Sequence, residues 1–177
     1  MKTKIILLAM FLYSCFTYDP SKEKVTLGNS EKDLSPSKQE LVGLWHEFPM
    51  LGSGWGNVFR FWSDGSFRFH ASQMKCLNRE LGYAGTWKVE TNKLILLVKE
   101  RNLIMGGKIQ KSKMPGICPR EIVGGKEITK RLKETEVLEF HITEIRIDNL
   151  SEDLKRPVIS IGKKRYWQFS SDPEEYP

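Results

Sequence analysis

Apolar and polar residues alternate with a period of two through much of this chain, most clearly from Val58 onward. Phe59 and Phe61 alternate with Arg60 and Trp62, Asp64-Gly65 interrupts, and Phe67 and Phe69 alternate with Arg68 and His70. Successive side chains of a strand point to opposite faces, so the pattern predicts a β-hairpin with one aromatic and one largely polar face. Glycine at the turn supplies positive φ without a Cβ clash. Gly82–Glu90 repeats the alternation, with Tyr83, Trp87 and Val89 on one face and Thr86, Lys88 and Glu90 on the other. Thr91-Asn92 turns the chain. Lys93–Glu100, KLILLVKE, returns as a continuous apolar run, the pattern of a buried strand.

The flanking segments extend this picture. Leu41–Phe48 reads as a first strand, or as a helical turn running into one. Pro49–Gly56 is a glycine-rich connection whose Trp55 is a candidate lid, the plainer alternative being a hairpin loop with its tryptophan against the core. Residues 71–81 lose the alternation and predict a loop carrying Cys76. Glycine pairs and prolines punctuate residues 102–119, leaving a weak strand at Lys108–Lys113, and Gly124-Gly125 interrupts a strand at Glu121–Leu132. Thr135–Ile147 is the longest strand. Leu138, Phe140 and Ile142 share one face, whereas Ile145 and Ile147 have the opposite parity, which predicts a β-bulge near Thr143–Glu144. Pro157–Ile161 and Lys164–Phe169 form a last hairpin across Gly162-Lys163, with Trp167 and Phe169 facing one way and Tyr166 and Gln168 the other. About eight or nine short antiparallel strands, with no long helix, predict an all-β fold. Hairpins in succession favour an up-and-down β-barrel.

The N-terminus changes the picture by adding an address. Lys2 and Lys4 precede a short apolar run, Ile5–Tyr13, too short to span a bilayer. Leu12-Tyr13-Ser14-Cys15 then resembles the bacterial lipoprotein signal, in which an aliphatic residue stands three before a modified cysteine and a small residue just before it. A plain secretory leader is the alternative. The resemblance implies export, diacylglyceryl transfer to Cys15, cleavage before it and N-acylation, giving a stable membrane anchor. Residue 16 is Phe, not the aspartate that retains enteric lipoproteins at the inner membrane, so the expected address is the outer membrane of the bacterial cell envelope. The expected organisation is a signal peptide at 1–14, a lipidated tether at 15–40, the barrel at 41–170 and a polar tail at 171–177. With Cys15 acylated, Cys76 and Cys118 remain as a disulfide pair in an oxidising compartment, the alternative being two separate thiols.

The order Gly43-x-Trp45, Phe59-x-Phe61-x-x-Asp64-Gly65-x-Phe67, Gly85-Thr86-Trp87-x-Val89 and Leu94-x-Leu96 resembles the lipocalin-like domains of bacterial lipoproteins. The likeness covers residues 41–100 and, more loosely, 135–170, and it implies a small β-barrel with stacked aromatics. The inserts at Ala71–Leu81 and Leu103–Pro119 depart from that family's minimal barrel.

Composition narrows the chemistry. Loss of Lys2 and Lys4 with the leader lowers the formal charge from +6 to +4. Basic residues are interspersed with acidic ones and form no reading motif, so no nucleic-acid partner is expected. His46, His70 and His141 stand in no metalloprotease or nucleophile motif, and neither Cys76 nor Cys118 has a CxxC neighbour. No catalytic residue, metal or cofactor is expected. His70 and His141 are expected to face solvent. The candidate ligand-binding residues are Trp45, Trp55, Phe59, Phe61, Phe67, Phe69, Tyr83, Trp87 and Trp167. The same aromatics suit a filled core as well as a cavity, because an eight-stranded barrel does either. The expected function is therefore a monomeric, membrane-anchored, non-enzymatic binding module for a small apolar or amphipathic ligand entering at the glycine-rich end. The alternative is a solid barrel whose loops contact an envelope or host protein.

Overall fold

A computed structural model describes residues 36–50, 55–113 and 116–175. The leader, Cys15, most of the expected tether and the centre of the Pro49–Gly56 loop lie outside the described residues. Glu31–Pro177 forms one compact unit. It contains every described strand, the hydrophobic core and the cysteine pair, so it carries what it needs to fold by itself.

Eight antiparallel strands close into a ring in sequence order, with the last hydrogen-bonded to the first. They are β1 (Gly43–His46), β2 (Val58–Phe61), β3 (Ser66–His70), β4 (Glu80–Glu90), β5 (Lys93–Lys111), β6 (Arg120–Asn149), β7 (Lys155–Ile161) and β8 (Lys164–Ser170). A one-turn helix, α1 (Lys38–Leu41), precedes them. Ser37 caps it: its hydroxyl accepts from the Glu40 amide while the Glu40 carboxylate accepts from the Ser37 amide. Val42 then turns the chain into β1. Within Leu41–Phe48 the strand β1 forms, and the helical turn lies just ahead of it at Lys38–Leu41, among residues expected as tether.

The predicted aromatic hairpin is present, with its four phenylalanines on one face. Phe59 pairs with Phe69 and Phe61 with Phe67, across a turn in which Gly65 has φ of +88°. Asp64 Oδ1 accepts hydrogen bonds from the Ser66 amide and hydroxyl, which fixes that turn. The bulge predicted near Thr143 is also present: the β6–β7 register shifts between Ile142 and Glu144. It places Ile145 on the same interior face as Ile142, and Ile145 packs against the core. Closure needs glycine where strands crowd. Gly43 has φ of +134°, and a Cβ there would lie 2.3 Å from the Ser170 carbonyl oxygen where β1 meets β8. A Cβ on Gly85 would lie 2.0 Å from the Leu97 carbonyl oxygen, beside a register shift between β4 and β5.

The strand pattern differs from expectation in the middle of the chain. The predicted strands at Lys93–Glu100 and Lys108–Lys113 are one strand, β5. Those at Glu121–Leu132 and Thr135–Ile147 are likewise one strand, β6. Their outer halves form a ribbon that projects from the ring, paired from Glu100 with Arg131 out to Lys111 with Arg120. The glycine pairs that read as interruptions face each other across it, Gly106 opposite Gly125. Gly106, Gly107 and Gly124 adopt φ of +68°, +73° and +72°. Opposed glycines thus let both strands change direction together while the register is kept, Gly106 with Gly125 and Lys108 with Val123 on either side of the bend.

Cys76, in the β3–β4 loop, and Cys118, near the ribbon tip, are joined with Cα atoms 5.9 Å apart, a normal disulfide separation. Arg79 donates to the carbonyls of Ile104 and Gly106, and the Ile104 amide donates to the Arg79 carbonyl. The loop and the ribbon therefore form one structure at one end of the ring. The helix α1 and the turns after β2, β4 and β6 lie at the other end.

Candidate functional site

Seven of the nine candidate ligand-binding residues fill the ring. Trp45, Phe59, Phe61, Phe67, Phe69, Tyr83 and Trp87 are all buried and belong to one cluster with Leu94, Leu96, Val98, Ile142 and Ile159. Their rings touch in succession. Phe59 lies 4.7 Å from Phe69, Phe69 stacks on Tyr83 at 4.5 Å, and Phe61 lies 5.0 Å from Trp87. Such contacts add to the burial of large apolar area. Of the two readings open to these aromatics, the packed one holds in the middle of the ring.

The other two lie elsewhere. Trp55 is 60% exposed beside the glycine-rich loop. Trp167 is on the outer face, its indole donating to Asp148 at 2.8 Å. Its neighbour Tyr166 is the buried residue of that strand and stands edge-on to Phe59 at 5.1 Å. The sequence reading thus took the wrong member of an adjacent aromatic pair. Neither parity stands out in β7, because Val158 on the outer face and Ile159 on the inner face are both buried. Burial pushes the Tyr83 and Tyr166 hydroxyls well above their ordinary pKa. Both are neutral at physiological pH, as a packed interior requires.

Polar contacts link neighbouring elements at the ribbon end. Glu47 pairs with Lys164 and accepts from the Asn57 amide at 3.0 Å. The buried Asn57 side chain accepts from the Ser72 amide at 2.9 Å, and the Ser72 hydroxyl donates to the Trp55 carbonyl. Arg101 sits over the Tyr83 ring, pairs with Glu80, and makes a bidentate contact with Glu136 at 2.7 Å. These partners hold the guanidinium above its already high ordinary pKa. His70, expected to face solvent, is half-buried in a cleft of mixed lining, with Arg60, Asn102 and Glu127 beside Val58, Leu81 and Ile128. Burial, then Arg60 and Arg68, hold it below its ordinary pKa. His141 is exposed as expected.

The other end carries an apolar cleft of about 450 Å³ between α1 and the inner faces of β6, β7 and β8. Leu41, Trp45, Ile145, Ile147, Pro157 and Ile159 line it, with Gln39, Glu40 and Gln168 at its edge. The bulge at Thr143 turns Ile145 and Ile147 inward. Ile147 is nevertheless 57% exposed. The Trp45 indole donates to the Leu41 carbonyl at 2.8 Å and Gln168 donates to the Val42 carbonyl at 3.0 Å, so both walls are fixed to α1. Lys38 lies over the Trp87 ring at 5.6 Å, holding the helix from its other side. Ser37 hydrogen bonds keep the Glu40 carboxyl below its ordinary pKa, and Arg146, paired with Glu144 and Asp148, also borders the cleft. Of the nine candidates, Trp45 alone lines this cleft. Ile145 and Ile147 were marked in the sequence only by their parity.

No group of three or more potential metal ligands converges among the described residues. No helix among them is long and apolar enough to cross a membrane. No family model, curated protein sequence or solved structure matches the chain.

Proposed function

We propose that this chain is a lipid-anchored lipoprotein of the bacterial cell envelope with a lipocalin-like β-barrel, and that it acts as a non-enzymatic binding module for a small amphipathic ligand. The ligand occupies the cleft beside α1, not the middle of the ring. The observation that carries this reading is the exposed, inward-facing Ile147 above an apolar floor of Trp45 and Ile159. Apolar surface left open inside a concave wall is what a ligand gains by covering. The polar groups at the rim, Gln39, Glu40 and Gln168, suit a hydrophilic head with hydrogen-bond donors. A cleft of about 450 Å³ falls within the usual range for small-molecule sites. The Leu12–Cys15 signal supports the anchor and the address.

Native mass spectrometry of the Glu31–Pro177 unit, purified from bacteria, tests this reading. A small molecule that co-purifies with the wild-type unit, leaves on denaturation and is missing from a folded Ile147→Arg variant is the expected result. A molecule retained equally by both proteins would place the ligand elsewhere.

A further inference from the structure

The ribbon formed by the outer halves of β5 and β6 concentrates charge that the sequence seemed to scatter. Residues 103–131 hold seven basic and two acidic side chains, +5 of the whole chain's formal +6. None of the seven joins an ion pair among the described residues. Beyond the glycine bend the ladder is regular, so Ile109 and Ile122 face each other on one side, and Lys111 and Arg120 follow on that same side. Like charges directly opposite each other destabilise a sheet. Lys111 opposite Arg120 therefore does nothing for the ribbon itself. Ile109 stands beside these charges on that side and is 44% exposed; Met105 and Ile117 elsewhere on the ribbon are 53% and 49% exposed, and Val123, opposite Lys108 on the other side, is 43% exposed. The disulfide at Cys118 and the Arg79 contacts hold the tip in place.

We propose that this ribbon docks on an anionic phospholipid surface. Aliphatic side chains flanked by lysine and arginine are the composition of an interfacial segment. The apolar groups enter the headgroup–acyl boundary, while the long basic chains reach back to phosphate. An acidic polysaccharide would use the charges and leave Ile109 uncovered. The ribbon leaves the ring at the end opposite α1. Surface docking there and occupation of the apolar cleft are thus separable, and this proposal does not rest on the cleft.

Co-sedimentation of the Glu31–Pro177 unit with vesicles tests it, using phosphatidylglycerol-rich vesicles against pure phosphatidylcholine. The unit should sediment with the anionic vesicles only and be released by salt at about 0.5 M, where the Debye length is a few ångströms. Replacing Lys111 and Arg120 together by Gln should lower the partition coefficient roughly 30-fold, from a typical surface attraction per basic residue. The same change should leave thermal stability unchanged or raised, since it removes a like-charge pair. Ile109→Ser should weaken binding without changing its salt dependence. Equal binding to both vesicle types, unchanged binding by the Lys111→Gln/Arg120→Gln variant, or capture of an acidic protein with no binding to vesicles would each overturn the proposal.

Discussion

At the scale of single residues, the interior is held by aromatic side chains that the period-two pattern marked individually. Trp87 is 4% exposed, touches Phe61, and donates its indole N–H to the Trp62 carbonyl at 3.2 Å. Trp87→Ala should cost about 3–5 kcal/mol in a denaturant titration, because the cavity cannot collapse among packed rings. Trp55→Ala, at an exposed site, should cost less than about 0.5 kcal/mol. His70 gives a pH dependence. Its folded pKa lies below the ordinary value, so below about pH 6.5 the unfolded chain takes up the proton first. The stability contributed by neutral His70 is complete above that pH and is lost as pH falls toward the folded pKa. The melting temperature should therefore drop between about pH 7 and pH 5, and His70→Gln should flatten that part of the curve. An unchanged slope in the variant would assign the dependence to other groups. Residue identity was legible wherever one parity was apolar and the other polar. At Tyr166-Trp167 both neighbours are aromatic, and only the pairing with Ile159 decides which is inside.

At the scale of elements, hairpins with short glycine turns were legible because turn chemistry and alternation agree there. The Asp64-Gly65 and Gly162-Lys163 turns and the Thr143 bulge are of this kind. The ribbon was not legible, since a glycine pair in one strand reads as a break until the opposing pair is placed against it. The short helix α1 was not legible where it forms, among residues expected as tether, since one capped turn has too few residues to show a period. The Pro173–Glu175 segment, expected as part of a polar tail, packs back on the ring. Pro173 is buried, and the Glu174 carboxylate accepts from the Trp62 indole at 3.1 Å. The disulfide belongs to this scale as well, tying the β3–β4 loop to the ribbon across 42 positions of sequence. On a chain-entropy account it contributes about 4 kcal/mol. Reductant should lower the denaturation midpoint accordingly, and Cys76→Ser/Cys118→Ser should show the lower midpoint with or without reductant. A midpoint that reductant does not move in the wild-type chain would mean the thiols are not joined.

At the scale of the whole molecule, a closed sheet of eight strands could have been hollow or solid, and alternation alone does not distinguish the two. The middle is solid because large aromatics from β2, β3 and β4 meet across it. The open apolar surface is displaced to the end covered by α1, where β6 runs on past the bulge. That displacement depends on contacts between residues more than a hundred positions apart, such as Gln168 with Val42, which no local pattern carries. The most direct test is a fluorescence titration of a neutral apolar probe carrying one N–H donor, N-phenyl-1-naphthylamine, into the wild-type unit and into its Ile147→Arg and Trp55→Ala variants. A ligand site beside α1 predicts that Ile147→Arg weakens binding by at least about tenfold, since a charge is placed in apolar surroundings. It also predicts that Trp55→Ala binds like the wild type. Probe binding that survives Ile147→Arg and fails in Trp55→Ala would contradict it and return the site to the glycine-rich end.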